Sequence, residues 1–270
     1  MSADLKLGCR GDEVARLQAH LCLAGFDAHP IDGHFGPTTE AALIACQRFF
    51  GLLPNGEASD ELLTQIGVTG PDLSCQFHPI CHQIDVDFVA AIFPESTPRK
   101  NIEANLPEIL LAIKYGAMDD RDLVLMALAT IRAESETFEP VSEAVSKYNT
   151  SPNGRPFDLY DYRSDLGNIG PPDGANYRGR GFIQLTGRAN YQHFSLQQGL
   201  EDRLLAHPEW ANHPRLAARL LVAYIQSKQA RIKYALIGND LASARRLING
   251  GSHGLARFID TFEKGKQRLT

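Results

Sequence analysis

The stretch ESETFEPVSE, residues 134–143, holds four glutamates: Glu134, Glu136, Glu139 and Glu143. Carboxylates in such a cluster either keep a surface hydrated or do acid–base work, and a helical projection separates the two. At 100° per residue, Arg121, Arg132, Glu136 and Glu139 share the side that wants water, while Leu123, Ala127, Thr130 and Ile131 share the opposite one. Glu134 falls among the second group. A carboxylate there has to find a partner or hold a proton, because burying a lone charge is costly. Pro140 predicts that the helix stops near Phe138, so the negative end of the helix dipole also disfavours a charge at Glu134. Two readings fit: a hydrogen-bonded structural glutamate, or a general acid that keeps its proton near neutral pH. Glu136 has a plainer task, pairing with Arg132 four residues before it.

Glu143 lies beyond Pro140 on a segment free to cross a cleft. Its simplest reading is a solvated loop residue. Paired with Glu134, however, it would complete the two carboxylates of glycoside hydrolysis, one neutral and one ionised, which inverting enzymes hold about 6.5–9.5 Å apart to admit water. A second unusual stretch, YRGRGFIQLTGRANY over 177–191, flanks Arg180 with glycines and leads through Phe182-Ile183 to Gln184, Thr186, Asn190 and Tyr191. Neutral hydrogen-bonding groups beside an aromatic ring suit sugar hydroxyls and acetamides. The same residues also read as a turn followed by a helix that Thr186 caps.

The rest of the chain must position these groups. Its 270 residues, 43% hydrophobic and 22% charged, suffice for two domains with real cores. A net charge of -5 gives no basic footprint for nucleic acid. No run of about 18 apolar residues occurs, so no membrane span is expected, and the N-terminus lacks the pattern of a secretory signal. The chain is therefore expected to be made in the cytoplasm and to reach its place of action by export or lysis. Five cysteines without regular spacing fit reduced thiols, with pairing of Cys75 and Cys81 as the less favoured alternative. The histidines are scattered, and no spacing resembles a zinc site; neither metal nor cofactor is expected.

Residues 1–67 read as three helices. GDEVARLQAHLCLAG carries Val14, Leu17 and Leu21 on one stripe, with Asp12 as N-cap and Gly25 as terminator. GPTTEAALIACQRFFG starts at Pro37 and ends at Gly51, and SDELLTQIG is capped by Ser59. Gly8/Gly11 and Gly33/Gly36 precede the first two helices as a loosely duplicated turn. A Gly- and Pro-containing linker, 68–83, follows. Residues 84–270 return to helices around one long irregular stretch, 147–181, with few strand signals. A mainly α chain is expected.

The pattern GxxGxxVxxLQxxLxxxGF…DGxFGxxTxxAxxxxQ resembles the type 1 peptidoglycan-binding domain, a three-helix wall-anchoring module. That resemblance makes Asp32, Gly33, Phe35 and Gly36 the loop of a wall-binding module and bacterial peptidoglycan the partner. RGRGFIQLTGRANY is similar to the signature of family 19 glycoside hydrolases, the chitinase class that also includes peptidoglycan hydrolases. ATIRAESETFEP and ARRLINGGSHGL resemble two further segments of that family. The resemblance implies an α-helical lysozyme-like domain. It makes Glu134 the general acid, places Thr186 beside the attacking water, and lines the sugar groove with Gln184, Asn190, Tyr191 and Asn249. The short spacing from Glu134 to Glu143 is similar to that of the endolysin branch, which makes Glu143 the base and brings in Tyr148 and Asn149 as substrate contacts. Ala133 stands where the family has histidine, so that imidazole is absent or supplied elsewhere. The reading is a monomeric, modular peptidoglycan hydrolase of the muramidase type; its rivals are a chitinase and a catalytically silent wall-binding protein.

Overall fold

The computed structural model describes residues 5–66, 80–116, 118, 120–251 and 253–269. The chain divides into two compact units, Met1–Gln76 and Phe77–Thr270. It is mainly α-helical, and the one sheet among the described residues is a two-stranded ribbon. Cys75, whose pairing with Cys81 is the less favoured alternative, and most of the 68–83 linker lie outside the described residues.

In the first unit, α1 (Asp12–Leu23), α2 (Pro37–Phe49) and α3 (Asp60–Gln65) close over one core of Val14, Leu17, Leu21, Phe35, Leu43, Cys46 and Leu62. Pro37 opens α2 and the Ser59 side chain accepts the Leu62 amide, as the sequence suggests. Gly25 and Gly51 each follow a helix in the left-handed region, and the next amide closes back on the helix, Phe26 N to Leu21 O and Leu52 N to Gln47 O. Asp12 does not cap α1. Gly11 occupies that position because its amide is already bound to the Gly33 carbonyl, so Asp12 becomes the first helical residue.

The two glycine turns lie against each other: Gly8 N donates to Phe35 O, Phe35 N to Cys9 O and Gly11 N to Gly33 O. A second repetition, unseen in the sequence, is built on glutamines. Buried Gln18 donates to Asp32 Oδ1, His34 O and Thr39 Oγ1 and accepts the Asp32 and Gly33 amides. Buried Gln47 does the same for the next loop, donating to Asn55 Oδ1 and Glu57 O and accepting the Gly56 amide. Each loop also closes on itself, His34 N to Asp32 Oδ1 and Glu57 N to Asn55 Oδ1. The Gln18 amide and the His34 N–H hold the Asp32 carboxyl below the usual range. Gly33 sits at φ 70°, where a Cβ would meet the Gly11 carbonyl at 2.9 Å.

Phe35 is fully buried. It belongs to the core that holds this loop in place. Gln18→Leu strands several loop groups at once, so the first unit is expected to lose at least about 2 kcal/mol. Hydrogen exchange of peptides from residues 5–66 in the full chain should reveal it, with residues 84–269 unaffected.

In the second unit, α4 (Val86–Ile92) and α5 (Arg99–Tyr115) lead to α6 (Arg121–Glu134), whose residues from Leu123 to Ile131 are all buried. The later helices are α7 (Asp173–Asn176), α8 (Arg188–Gln197), α9 (Arg203–Ala206), α10 (Pro214–Gln226), α11 (Gln229–Ile237), α12 (Leu241–Asn249) and α13 (Leu255–Arg268). α13 packs along α6 and against α4, and α10 packs on α5 and α6, so α6 is sheathed by helices. That enclosure explains why Arg132 is only 13% exposed instead of facing water. Its expected partner Glu136 lies 3.8 Å away, and Arg257 is bonded to the same carboxylate.

α6 ends at Glu134, four residues before the point Pro140 predicts. Ser135 Oγ donates to Glu139 O and accepts the Glu139 amide, folding the chain back. Phe138 turns left-handed (φ 58°) into the core, edge-on to Phe93. Thr97, Asn101 and Asn105 donate to the carbonyls of Glu136, Thr137 and Phe138. Polar groups from the start of α5 thus satisfy this turn, where more helix would have needed none of them.

Beyond the turn, β1 (Val141–Ser142) pairs antiparallel with β2 (Arg180–Gly181), Val141 opposite Gly181 and Ser142 opposite Arg180. The irregular stretch between them is held by buried acids. Asp161 Oδ1 accepts the Gly174 amide. Asp173 is bidentate with Arg188, at 2.8 and 2.6 Å, and also takes the Ile169 amide. The Arg188 hydrogen bond holds the Asp173 carboxyl below the usual range. A depressed folded-state value stabilises the protein above the ordinary Asp pKa of about 3.9, and this contribution fades as pH falls through the lower value. Asp173→Asn should therefore flatten the acid limb of the urea midpoint measured against pH.

Candidate active site

Three positions chosen from the sequence converge in the second unit. Glu134 closes α6, Glu143 follows β1, and Thr186 follows β2. All three line one cavity of about 870 Å³ together with Gln184, Asn190 and Asn249.

Glu134 is partnered. Its Oε1 accepts from Arg245 Nη2 at 2.6 Å, and Arg245, on α12, is completely buried. Nε and Nη2 of Arg245 also donate to the His253 carbonyl. Of the two outcomes open to an acid on the apolar side of α6, the structure realises the partner. Glu134 is thus not the isolated group that the helix pattern also allows. Its Oε2 carries no hydrogen bond among the described residues.

Glu143 is not a solvated loop residue. Oε1 accepts from Asn149 Nδ2 (3.0 Å) and from the Tyr160 hydroxyl (2.9 Å), and Oε2 accepts from Gly179 N (3.2 Å). Its own amide donates to Gly179 O at 2.7 Å, prolonging the ribbon by one bond. Burial, aided by the Glu143 hydrogen bond, pushes the Tyr160 hydroxyl up to about 12, so it stays a donor at any working pH. Gly179 has no room for a side chain: a Cβ would lie 2.7 Å from Gln184 Oε1 and 3.3 Å from Glu143 Oε2.

Thr186 does not cap α8, which Gly187 precedes; its hydroxyl donates to the Gln184 carbonyl at 2.8 Å. Gln184 is left-handed (φ 50°) and its amide donates to Val141 O and Gly181 O, fastening the loop to both strands. Asn190 donates to Thr186 O and Asn249 to His253 O. Three sequence assignments change. Tyr191 is fully buried, accepting from Arg180 and donating to Arg178 O, so it braces the RGRG loop and cannot stack on a sugar. Asn149 is also buried and orients Glu143 instead of touching substrate. Tyr148 is 77% exposed but is not among the residues that line the cavity.

Sequence reasoning missed Arg245, Tyr160, and the cationic side of the cavity formed by Lys228, Arg231 and Arg246. Arg245 was detectable. It lies on the buried stripe Leu241, Ala244, Arg245, Ile248 of α12, an arginine among apolar positions just as Glu134 is an acid among them. Ala133, where a histidine would match the family pattern, is buried, whereas His253 is a cavity residue. Among the described residues one group brings metal-type ligands together. Cys22, Asp27 and His29 of the first unit place their ligand atoms within 4.8 Å of one another. Their spacing, Cys-x4-Asp-x-His, matches no pattern sought in the sequence.

Comparisons with known proteins bear mainly on the first unit. Residues 10–66 match the family described as "Putative peptidoglycan binding domain". A curated N-acetylmuramoyl-L-alanine amidase, CwlM of Mycobacterium tuberculosis, is 45% identical over 56 residues, 21% of this chain. The match spans only 14% of that amidase. The solved structure of the Burkholderia AP3 phage endolysin aligns over 98% of this chain and 100% of its own, with 15% identity and a TM-score of 0.24. A superposition that loose carries no chemistry across. No helix among the described residues is long and apolar enough to cross a membrane.

Proposed function

We propose that the chain is a peptidoglycan hydrolase whose first unit holds the wall and whose second unit cuts the β-1,4 bonds of the glycan. One observation carries the reading: two carboxylates from separate elements, each held by its own partners, line one cavity with Thr186 and three side-chain amides. In the proposed reaction Arg245 keeps Oε1 of Glu134, and Oε2 delivers a proton to the glycosidic oxygen. Glu143, oriented by Tyr160, Asn149 and Gly179, takes a proton from water, with Thr186 beside it, as the water attacks the anomeric carbon from the opposite face. Charge develops on the sugar between the two acids, and inversion follows. The match of residues 10–66 supports the wall as the place of action. A binding unit joined to a catalytic one makes each cut effectively intramolecular.

The test is product analysis on purified peptidoglycan. New reducing ends with no new amino termini support glycosidic cleavage; new amino termini would replace it with an amidase reading, and no product at all with a binding protein. Proton NMR should find the α-anomer first, and mass spectrometry identifies which sugar carries the new end. Tyr160→Phe removes one donor to Glu143, so kcat should fall about tenfold with KM little changed.

A further inference from the structure

The cavity has one wall whose chemistry the acid–base reaction does not use. Lys228, Arg231 and Arg246 line it from the α10–α11 turn, α11 and α12. Arg231 and Arg246 are exposed, and none of the three forms an ion pair among the described residues. Lys228 is held with Nζ 4.9 Å from the centre of the Tyr224 ring, and the carboxylate that feels Arg246 is Asp240. Of the acids that line the same cavity, Glu134 is matched by Arg245 and Asp165 by Arg163. Glu143 forms no ion pair among the described residues, and the cation whose charge it feels is Arg178, outside this wall. A chain of net charge -5 thus presents a cationic wall at its candidate site. Arg231, Arg246 and Leu247 also line a second hollow of about 760 Å³, together with Asp240 and the highly exposed Tyr234.

An uncharged poly-N-acetylglucosamine strand offers such a wall no charge to pair with. A muramyl strand carries a lactyl carboxylate, free or extended by a peptide with further carboxylates, on alternate sugars. We infer that Lys228, Arg231 and Arg246 form a carboxylate-binding subsite for the muramyl substituents, so that the second unit itself, and not only the wall-binding unit, selects peptidoglycan over chitin. The inference rests on the glycan-cleaving reading above and narrows its substrate. Exposed charge pairs are individually weak and screened by salt, so the subsite acts through several contacts together.

Binding to the full chain is measured by calorimetry with three soluble probes: an N-acetylglucosamine tetramer, a muramyl tetrasaccharide without peptide, and the same tetrasaccharide bearing peptides. The chain is compared with Arg231→Gln/Arg246→Gln and with the charge-keeping Arg231→Lys/Arg246→Lys. The glutamine variant should bind the muramyl probes about tenfold more weakly, with the loss shrinking at high salt. The lysine variant should retain most of the affinity, and the tetramer should bind all three proteins alike. Loss on the peptide-free probe locates the lactyl carboxylate at the subsite; loss confined to the peptide-bearing probe locates the peptide there. Equal binding of the muramyl probes by all three proteins, or an equal loss on the uncharged tetramer, overturns the inference. Reducing ends released at an unchanged KM by the glutamine variant would overturn it while leaving the hydrolase standing. A binding difference without any cleavage would do the reverse.

Discussion

Glu134→Gln should lower the release of reducing ends from peptidoglycan by about a thousandfold while the second unit stays folded. Glutamine can still accept from Arg245 through its carbonyl oxygen, so the hydrogen bond across α6 and α12 survives and the transferable proton does not. Removing a general acid costs typically 10²–10⁴-fold, and the upper half of that range is expected because the cavity holds no second group in the same position: Glu143 is tied to Tyr160, Asn149 and Gly179. Binding of the intact wall should be unchanged, since residues 10–66 are untouched. A variant that folds, binds and still cuts at more than a tenth of the parent rate would falsify the assignment.

Arg245→Met carries the largest expected stability effect. It leaves the Glu134 carboxylate at 12% exposure with no cation beside it and takes two donors from the His253 carbonyl. Breaking a buried pair from one side costs about 3–5 kcal/mol. For a unit of this size that lowers Tm by about 2–4 °C per kcal/mol, readable through the fluorescence of the single tryptophan, Trp210. Glu134→Gln/Arg245→Met should recover part of the loss, because no charge is then stranded. Recovery is the informative term: a double variant as unstable as Arg245→Met alone would mean that the arginine works by packing against Phe258 and not by pairing with the acid.

What the sequence revealed, and what it hid, follows from the range of the interactions. Glu134 was legible because a helix repeats every few residues, so one misplaced acid stands out. The caps at Pro37 and Ser59 were legible for the same reason. The end of α6 was not, because Thr97, Asn101 and Asn105 act on it from 33 or more positions away. The partner of Glu134 lies 111 positions off, and that of Tyr160 is Glu143, across an irregular stretch with no period to read. Tyr191 was misassigned because composition marks an aromatic ring near polar groups without saying on which side of a loop it lies. The paired glutamines Gln18 and Gln47 escaped notice because their loops differ in length, though the three hydrogen bonds of Gln47 each have a counterpart at Gln18.

The absence of space above Gly179 divides the second unit into parts with different freedom to change. Even one methyl there presses on both Gln184 and Glu143, two residues that line the cavity, so a change at this glycine would move the oxygen to which we assign the activation of water. The rim on α11 and α12 is under no such constraint, since its side chains end in solvent. An engineer wishing to retarget the molecule to another polysaccharide should leave Gly179 alone and rewrite the rim.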